Sequence, residues 1–167
     1  MDRMSVNRNV FLTRRSVLSL ALASPLVTQA QDSPIGMQVW KGARCDCCQD
    51  WLDHMEKNGF VVVRVHNEGN KEARRRLKMP ESVGACHTAV VRGFVIEGHV
   101  PAADVHRVIK LRTDAVGLAV PGMPVGSPGM DGPKYGKQRE AYNVLLVGAD
   151  GTTTVFSRYA SSESDRK

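Results

Sequence analysis

The stretch MQVWKGARCDCCQDWLDHMEKNGFVVVRV, residues 37–65, decides how the chain folds. Met37-Gln38-Val39-Trp40 alternates apolar and polar side chains and stops at Gly42, the pattern of a short strand. A helix should follow at once. Asp46 is placed to cap its start, with Gln49 three residues on in a capping-box pattern. Trp51, Leu52 and Met55 form its apolar face, and Asn58-Gly59 stops it. The β-branched run from Phe60 to Val65 then predicts a second, buried strand. Cys45, Cys47 and Cys48 fall at the junction between the first strand and the helix.

Outward from this unit, Asn70 to Leu77 reads as a polar helix ended by Pro80, with Arg74-Arg75-Arg76 as a solvated face. Thr88 to Val91 and Phe94 to Ile96, separated by Arg92-Gly93, read as a hairpin. Pro101 to Arg112 reads as a helix with Val105, Val108 and Ile109 inward. The order is βαβαββα, an α/β arrangement. Gly117 to Gly136 is rich in glycine and proline and lacks periodicity, so an irregular loop is expected. Asn143 to Val147 and Thr152 to Phe156 around Ala149-Asp150-Gly151 add a C-terminal β-hairpin. Residues 161–167 read as a flexible tail.

The first thirty residues have a different character. Arg3, Arg8, Arg14 and Arg15 precede an uncharged stretch from Ser16 to Ala30, the layout of an export signal. Its apolar part, interrupted by Ser19, Ser24 and Pro25, falls short of the ~20 mostly apolar residues of a spanning helix, so no stable membrane anchor is expected. The pair Arg14-Arg15 before Ser16-Val17-Leu18 is twin-arginine-like, a route that carries folded proteins. Residues 1–30 are thus read as a signal peptide and 31–160 as one domain, placed in the periplasm. Without the signal, 19 basic side chains face 16 acidic ones. That mild surplus has no long basic block, so no nucleic acid partner is expected.

Four cysteines in an exported chain would ordinarily mean two structural disulfides. Three of them lie within four residues and cannot all staple distant segments. At a helix start, unpaired N–H groups and the helix dipole favour thiolate. Three convergent thiolates suit a soft metal. Zinc prefers two separated ligand pairs, which Cys45-Asp46-Cys47-Cys48 does not offer, and ferredoxin spacings are missing. Copper(I) accepts two or three sulfurs, and a bridging thiolate allows a multinuclear site. The rival reading is a thiol-disulfide oxidoreductase, because Cys45 and Cys48 form a Cys-x-x-Cys pair. Purely structural disulfides are the third.

Four motifs occur in order. They are Val39-Trp40-Lys41 before Cys45-Asp46-Cys47-Cys48, then Ala85-Cys86-His87-Thr88-Ala89-Val90, Ile96-Glu97-Gly98-His99-Val100-Pro101, and residues 117–130 with Pro121-Gly122-Met123 and Pro128-Gly129-Met130. Together they resemble the CopG family of periplasmic copper-resistance proteins, from about Met37 to Tyr159. The resemblance implies a thioredoxin-like fold, a copper site on Cys45, Cys47, Cys48 and Cys86, and a role in handling excess copper beside other periplasmic copper-handling proteins. It also implies that the loop before the third strand brings Cys86 to the helix-start cysteines. Copper cycling between two oxidation states would make the chain a copper oxidoreductase; retention of one state makes it a store or carrier.

Four further side chains are weaker candidates as ligands or supporting donors: His87, His99, Met123 and Met130. His87 follows Cys86 directly, and consecutive strand residues point to opposite sides, so hydrogen bonding suits it better than ligation. His99 precedes a helix that it can cap, or it binds copper(II). Met123 and Met130 carry thioethers in a loop, where they bind copper(I) or fold back onto the core. His54, His66 and His106 read as ordinary boundary histidines.

Overall fold

Residues 33–162 are described by a computed structural model; the expected export segment and residues 163–167 lie outside them. The strands are β1 (Ile35–Lys41), β2 (Phe60–His66), β3 (His87–Val91), β4 (Phe94–Glu97), β5 (Gly117–Ala119), β6 (Tyr142–Val147) and β7 (Thr153–Tyr159). The helices are α1 (Asp46–Lys57), α2 (Lys71–Arg76) and α3 (Ala102–Leu111). All seven strands form one mixed sheet in the order β2-β1-β3-β4-β5-β6-β7. β1 runs parallel to β2 and antiparallel to β3, which pairs antiparallel with β4. β5 runs parallel to β4 and antiparallel to β6, and β7 closes the far edge.

Alternation along the strands builds two apolar layers. Met37, Val39, Ala89, Val91, Ile96 and Leu118 join Trp51 and Met55 of α1 and Val105 and Val108 of α3 in the main core. The neighbouring Val95 and Ala119 belong instead to a second cluster with Met79, Val83 and Val147. Asp104 of α3 accepts hydrogen bonds from Ser157 and Tyr159, which fastens that helix to β7. Among the described residues no helix is long and apolar enough to cross a membrane.

Several sequence expectations need correction. Cys45, not Asp46, is the N-cap of α1; its side chain makes no capping bond, and the Gln49 amide turns to Asp53. Asp46 at the first helical position still sits favourably in the dipole. The β2 run is not doubly buried. It is an edge strand with Val63 67% exposed, and β-branching serves strand propensity there rather than burial. Val62 pairs with Met37 and Arg64 with Gln38, so Val63 is an extra residue in the ladder, which shifts the phase and sets His66 against Trp40.

The expected loop over 117–136 begins with a strand. A Cβ at Gly117 would lie 1.7 Å from the Val95 carbonyl oxygen, so the backbone approach that makes β5 requires glycine. β5 therefore joins the C-terminal hairpin into the central sheet. A short 3-10 turn follows at Pro133–Tyr135. Nor is Arg74 solvated: it is 7% exposed and turned toward Glu97 of β4. At the C-terminal end Ser162 is hydrogen-bonded to Arg139 through both its N–H and its hydroxyl.

Candidate metal centre

The sheet order brings the cysteines together. β1 delivers the chain to α1, whose N-cap is Cys45 and whose first turn carries Cys47 and Cys48. β3 lies beside β1 with His87 opposite Lys41, so the start of β3 stands next to the start of α1. Cys86, immediately before β3, is thereby placed against the helix-start sulfurs. Its Sγ lies 3.5 Å from Cys48 Sγ. Cys45 Sγ and Cys47 Sγ are 3.7 Å apart. All four sulfurs lie within 4.8 Å of one another. Cys45 and Cys48 are joined as a disulfide, and Cys47 and Cys86 are free thiols.

Two histidines gather around Cys86. His99 Nε2 lies 3.2 Å from Cys86 Sγ, while Nδ1 is 2.8 Å from the Pro128 carbonyl oxygen. A carbonyl only accepts, so Nδ1 donates and the Nε2 lone pair faces the sulfur. His99 does not cap α3, whose N-cap is Pro101. His87 Nδ1 lies 3.4 Å from Cys86 Sγ. The opposite-sides expectation fails because β3 begins at His87, leaving Cys86 outside the regular strand. The His87 ring is fully buried against Trp51 and edge-on to His99, and its Nε2 has no hydrogen-bond partner. Cys86, His87 and His99 thus form a second cluster of metal-capable donors that shares Cys86 with the first.

The Gly/Pro-rich loop covers the helix start. Gly129, at φ +83°, leaves no room for a side chain: a Cβ would meet the Cys47 carbonyl oxygen at 2.6 Å and the Trp51 nitrogen at 2.7 Å. From this loop Met123, half exposed, places Sδ 3.9 Å from Cys47 Sγ. Met130 is buried, and its N–H and C=O close the turn from Gly126. The loop's contact with the sulfurs runs through Met123.

Burial sets the electrostatics. The Cys86 thiol is pushed up to about 12, by burial first and then by the charge and hydrogen bonding of Cys47. His87 is held well below its ordinary range by burial and by His99, and burial also lowers His99. Both imidazoles are therefore neutral and keep a lone pair, the form that binds metals. The proton on a desolvated thiol yields most readily to a positive charge, which a metal ion provides. A hollow of about 940 Å³ lies along α2 and its flanking loops and is lined by none of the four cysteines. The donor set is soft, crowded and free of carboxylates, which fits a thiophilic ion.

His54, His66 and His106 serve the framework. His54 Nε2 accepts the Ala102 N–H, His106 packs on Phe60, and His66 stacks on Trp40. The Pro128 carbonyl that orients His99 has no side-chain signature. Its only sequence trace is the Pro-Gly-Met echo at 121–123 and 128–130.

A family described as a protein of unknown function, DUF411, matches residues 83–130, the span holding Cys86, both histidines and both loop methionines. No curated protein sequence matches the chain. Two solved structures of copper resistance protein CopG, Form 1 and Form 2, superpose with a TM-score of 0.69. Each is 45% identical, with 77% and 76% of this chain and 99% of each of those chains covered. At that identity over essentially their whole length, the chain belongs to the CopG family of copper resistance proteins.

Proposed function

We propose that the chain is a periplasmic copper-binding protein of copper homeostasis that holds several Cu(I) ions on the thiolates of Cys45, Cys47, Cys48 and Cys86. The observation that carries this reading is the crowding of four cysteine sulfurs within 4.8 Å. No single tetrahedral ion needs three of them within four residues, whereas bridging thiolates use such crowding. Met123 Sδ beside Cys47 and His99 Nε2 beside Cys86 are the supplementary donors. The strand order β2-β1-β3-β4, with cysteines at the start of α1, supports a thioredoxin-like domain. The arginines ahead of the uncharged stretch from Ser16 to Ala30 support an export signal over residues 1–30, with the domain over 31–160. Other periplasmic copper-handling proteins are the proposed partners.

Cys45 and Cys48 ligate only after their disulfide takes up two electrons, which breaks the S–S bond and leaves the two thiolates. In the reverse direction, oxidation of those thiolates to the disulfide releases two electrons, the number that takes two Cu(II) to two Cu(I). Copper redox change is thus the enzymatic form of the proposal, and storage or carriage of Cu(I) its simpler form. Anaerobic reduction, Cu(I) loading and metal analysis test it: more than one copper per chain is expected, and less than one overturns it.

One observation favours a second reading. The Cys45–Cys48 disulfide is the bond a thiol-disulfide oxidoreductase exchanges. That reading expects the reduced apoprotein to reduce a disulfide substrate whether or not Cys86 is present. The copper reading expects Cys86→Ser to lose copper.

A further inference from the structure

We infer that the buried pair Arg74–Glu97 positions Cys86 by gripping both backbone groups of Ala85, and thereby sets the copper affinity of the site; this rests on the copper reading above. The Glu97 side chain is fully buried, on the last residue of β4. Its Oε1 accepts from Arg74 Nε at 2.8 Å and from the Ala85 N–H at 2.8 Å, and Oε2 accepts from the Thr88 hydroxyl at 2.5 Å. Arg74 then donates through its second arm to the Ala85 carbonyl at 2.7 Å. Asn70 Nδ2 reaches the same carbonyl at 3.1 Å. Ala85 is thus held by side chains rather than by a sheet ladder, one residue before the sulfur that meets Cys48 and His99.

The grip spans both segments of the Cys86 cluster. Glu97 lies two residues before His99 in the chain, and Gly98 N–H donates to the His87 carbonyl at 2.9 Å. The space is filled as well: a Cβ at Gly84 would meet the Arg74 guanidinium at 2.7 Å, and one at Gly98 would meet Ala85 Cβ at 2.5 Å. An ordinary ion pair fastening α2 to the sheet would need neither Ala85 contact. A buried charge pair is costly to half-remove, yet an apolar replacement of both partners is tolerated in many folds. The pair can therefore be deleted as a unit.

The test compares the full chain with Arg74→Met/Glu97→Leu, which removes the grip. It also includes Arg74→Met/Glu97→Gln, which keeps an acceptor for the Ala85 N–H. In the first variant Cu(I) affinity should fall about ten-fold or more, the scale of losing a group that orients a ligand, and in the second, which restores the N–H half of the grip but not the Arg74 arm on the carbonyl, only part of that loss should recover. In the reduced, metal-free chain Cys86 should be alkylated about five-fold faster in the first variant, with Cys47 on α1 unchanged, because the effect is local. A folded first variant with wild-type affinity and wild-type Cys86 alkylation overturns the inference, as does equal acceleration at Cys47 and Cys86, which signals general loosening. If that variant does not fold, Arg74→Lys carries the test, because a single ammonium keeps the buried charge opposite Glu97 but loses the second arm on the Ala85 carbonyl: a several-fold change in the same direction at Cys86 supports the inference, and none overturns it. A wild-type chain that takes up no Cu(I) refutes the copper reading, and the alkylation rates then decide the positioning alone.

Discussion

Cys86 Sγ lies 3.5 Å from Cys48 Sγ although 38 positions separate them in sequence. That contact separates the proposed copper site from a bare Cys-x-x-Cys pair, because it adds a sulfur from another segment to a redox-capable pair. Cys86→Ser should lower Cu(I) stoichiometry by at least about one ion per chain, since the lost sulfur is shared between two donor clusters. Its thermal midpoint should stay near wild type, as Cys86 is only part-buried. Copper analysis beside a melting curve checks both. Unchanged stoichiometry with retained disulfide-reducing activity supports the oxidoreductase reading instead.

Met123→Leu isolates the thioether. Met123 is half exposed, so the change should leave stability alone while weakening Cu(I) affinity by about ten-fold, or ~1.4 kcal/mol. Competition against a Cu(I) chelator measures it. Met130→Leu, a buried and volume-conserving swap, should leave affinity as it is.

Gly129→Ala tests how tightly the loop sits on α1. The residue has positive φ, and a methyl group there overlaps the backbone of Cys47 and Trp51. Strain and overlap together should cost about 2 kcal/mol or more in chemical denaturation. The same variant should weaken the Met123 contribution to copper binding, because loop and helix start part.

Acid should destabilise the metal-free, disulfide-bonded chain. His54, His87 and His99 are all held below the ordinary value near 6.5, each first by burial. The unfolded chain therefore takes up protons before the folded one, and stability falls as pH drops below about 7 until the folded-state values are reached. Each histidine that stays neutral in the fold contributes up to about 1.4 kcal/mol per pH unit in that window, with a smaller share from half-buried His54. Protonated His54 would also lose the Ala102 N–H bond. Thermal midpoints at pH 7 and pH 5.5 check this, and an unchanged or higher midpoint at pH 5.5 contradicts it.

Local patterns were readable where local physics decides them. The first strand, the apolar face of α1, the stop at Asn58-Gly59 and both hairpins follow from alternation, helical spacing and turn residues. The convergence of Cys45, Cys47 and Cys48 needed only their spacing. Features created by the tertiary arrangement were not readable in the same way. Arg74 looks like one arginine among three until β4 presents Glu97 beneath it. β5 is three residues long and begins with the glycine its close approach requires, so composition disguised it as loop. The edge position of β2 depends on which strand β1 pairs with on its other side. The pairing of His99 with Cys86 depends on a backbone carbonyl that no residue type announces.

The proposed copper site needs four thiolates acting together. Its most direct test is Cu(I) stoichiometry by anaerobic metal analysis of the chain with Cys45–Cys48 reduced, beside the same chain with that disulfide intact. More than one copper per reduced chain, with clear loss in the oxidised form, is the predicted result. Less than one copper per reduced chain contradicts it.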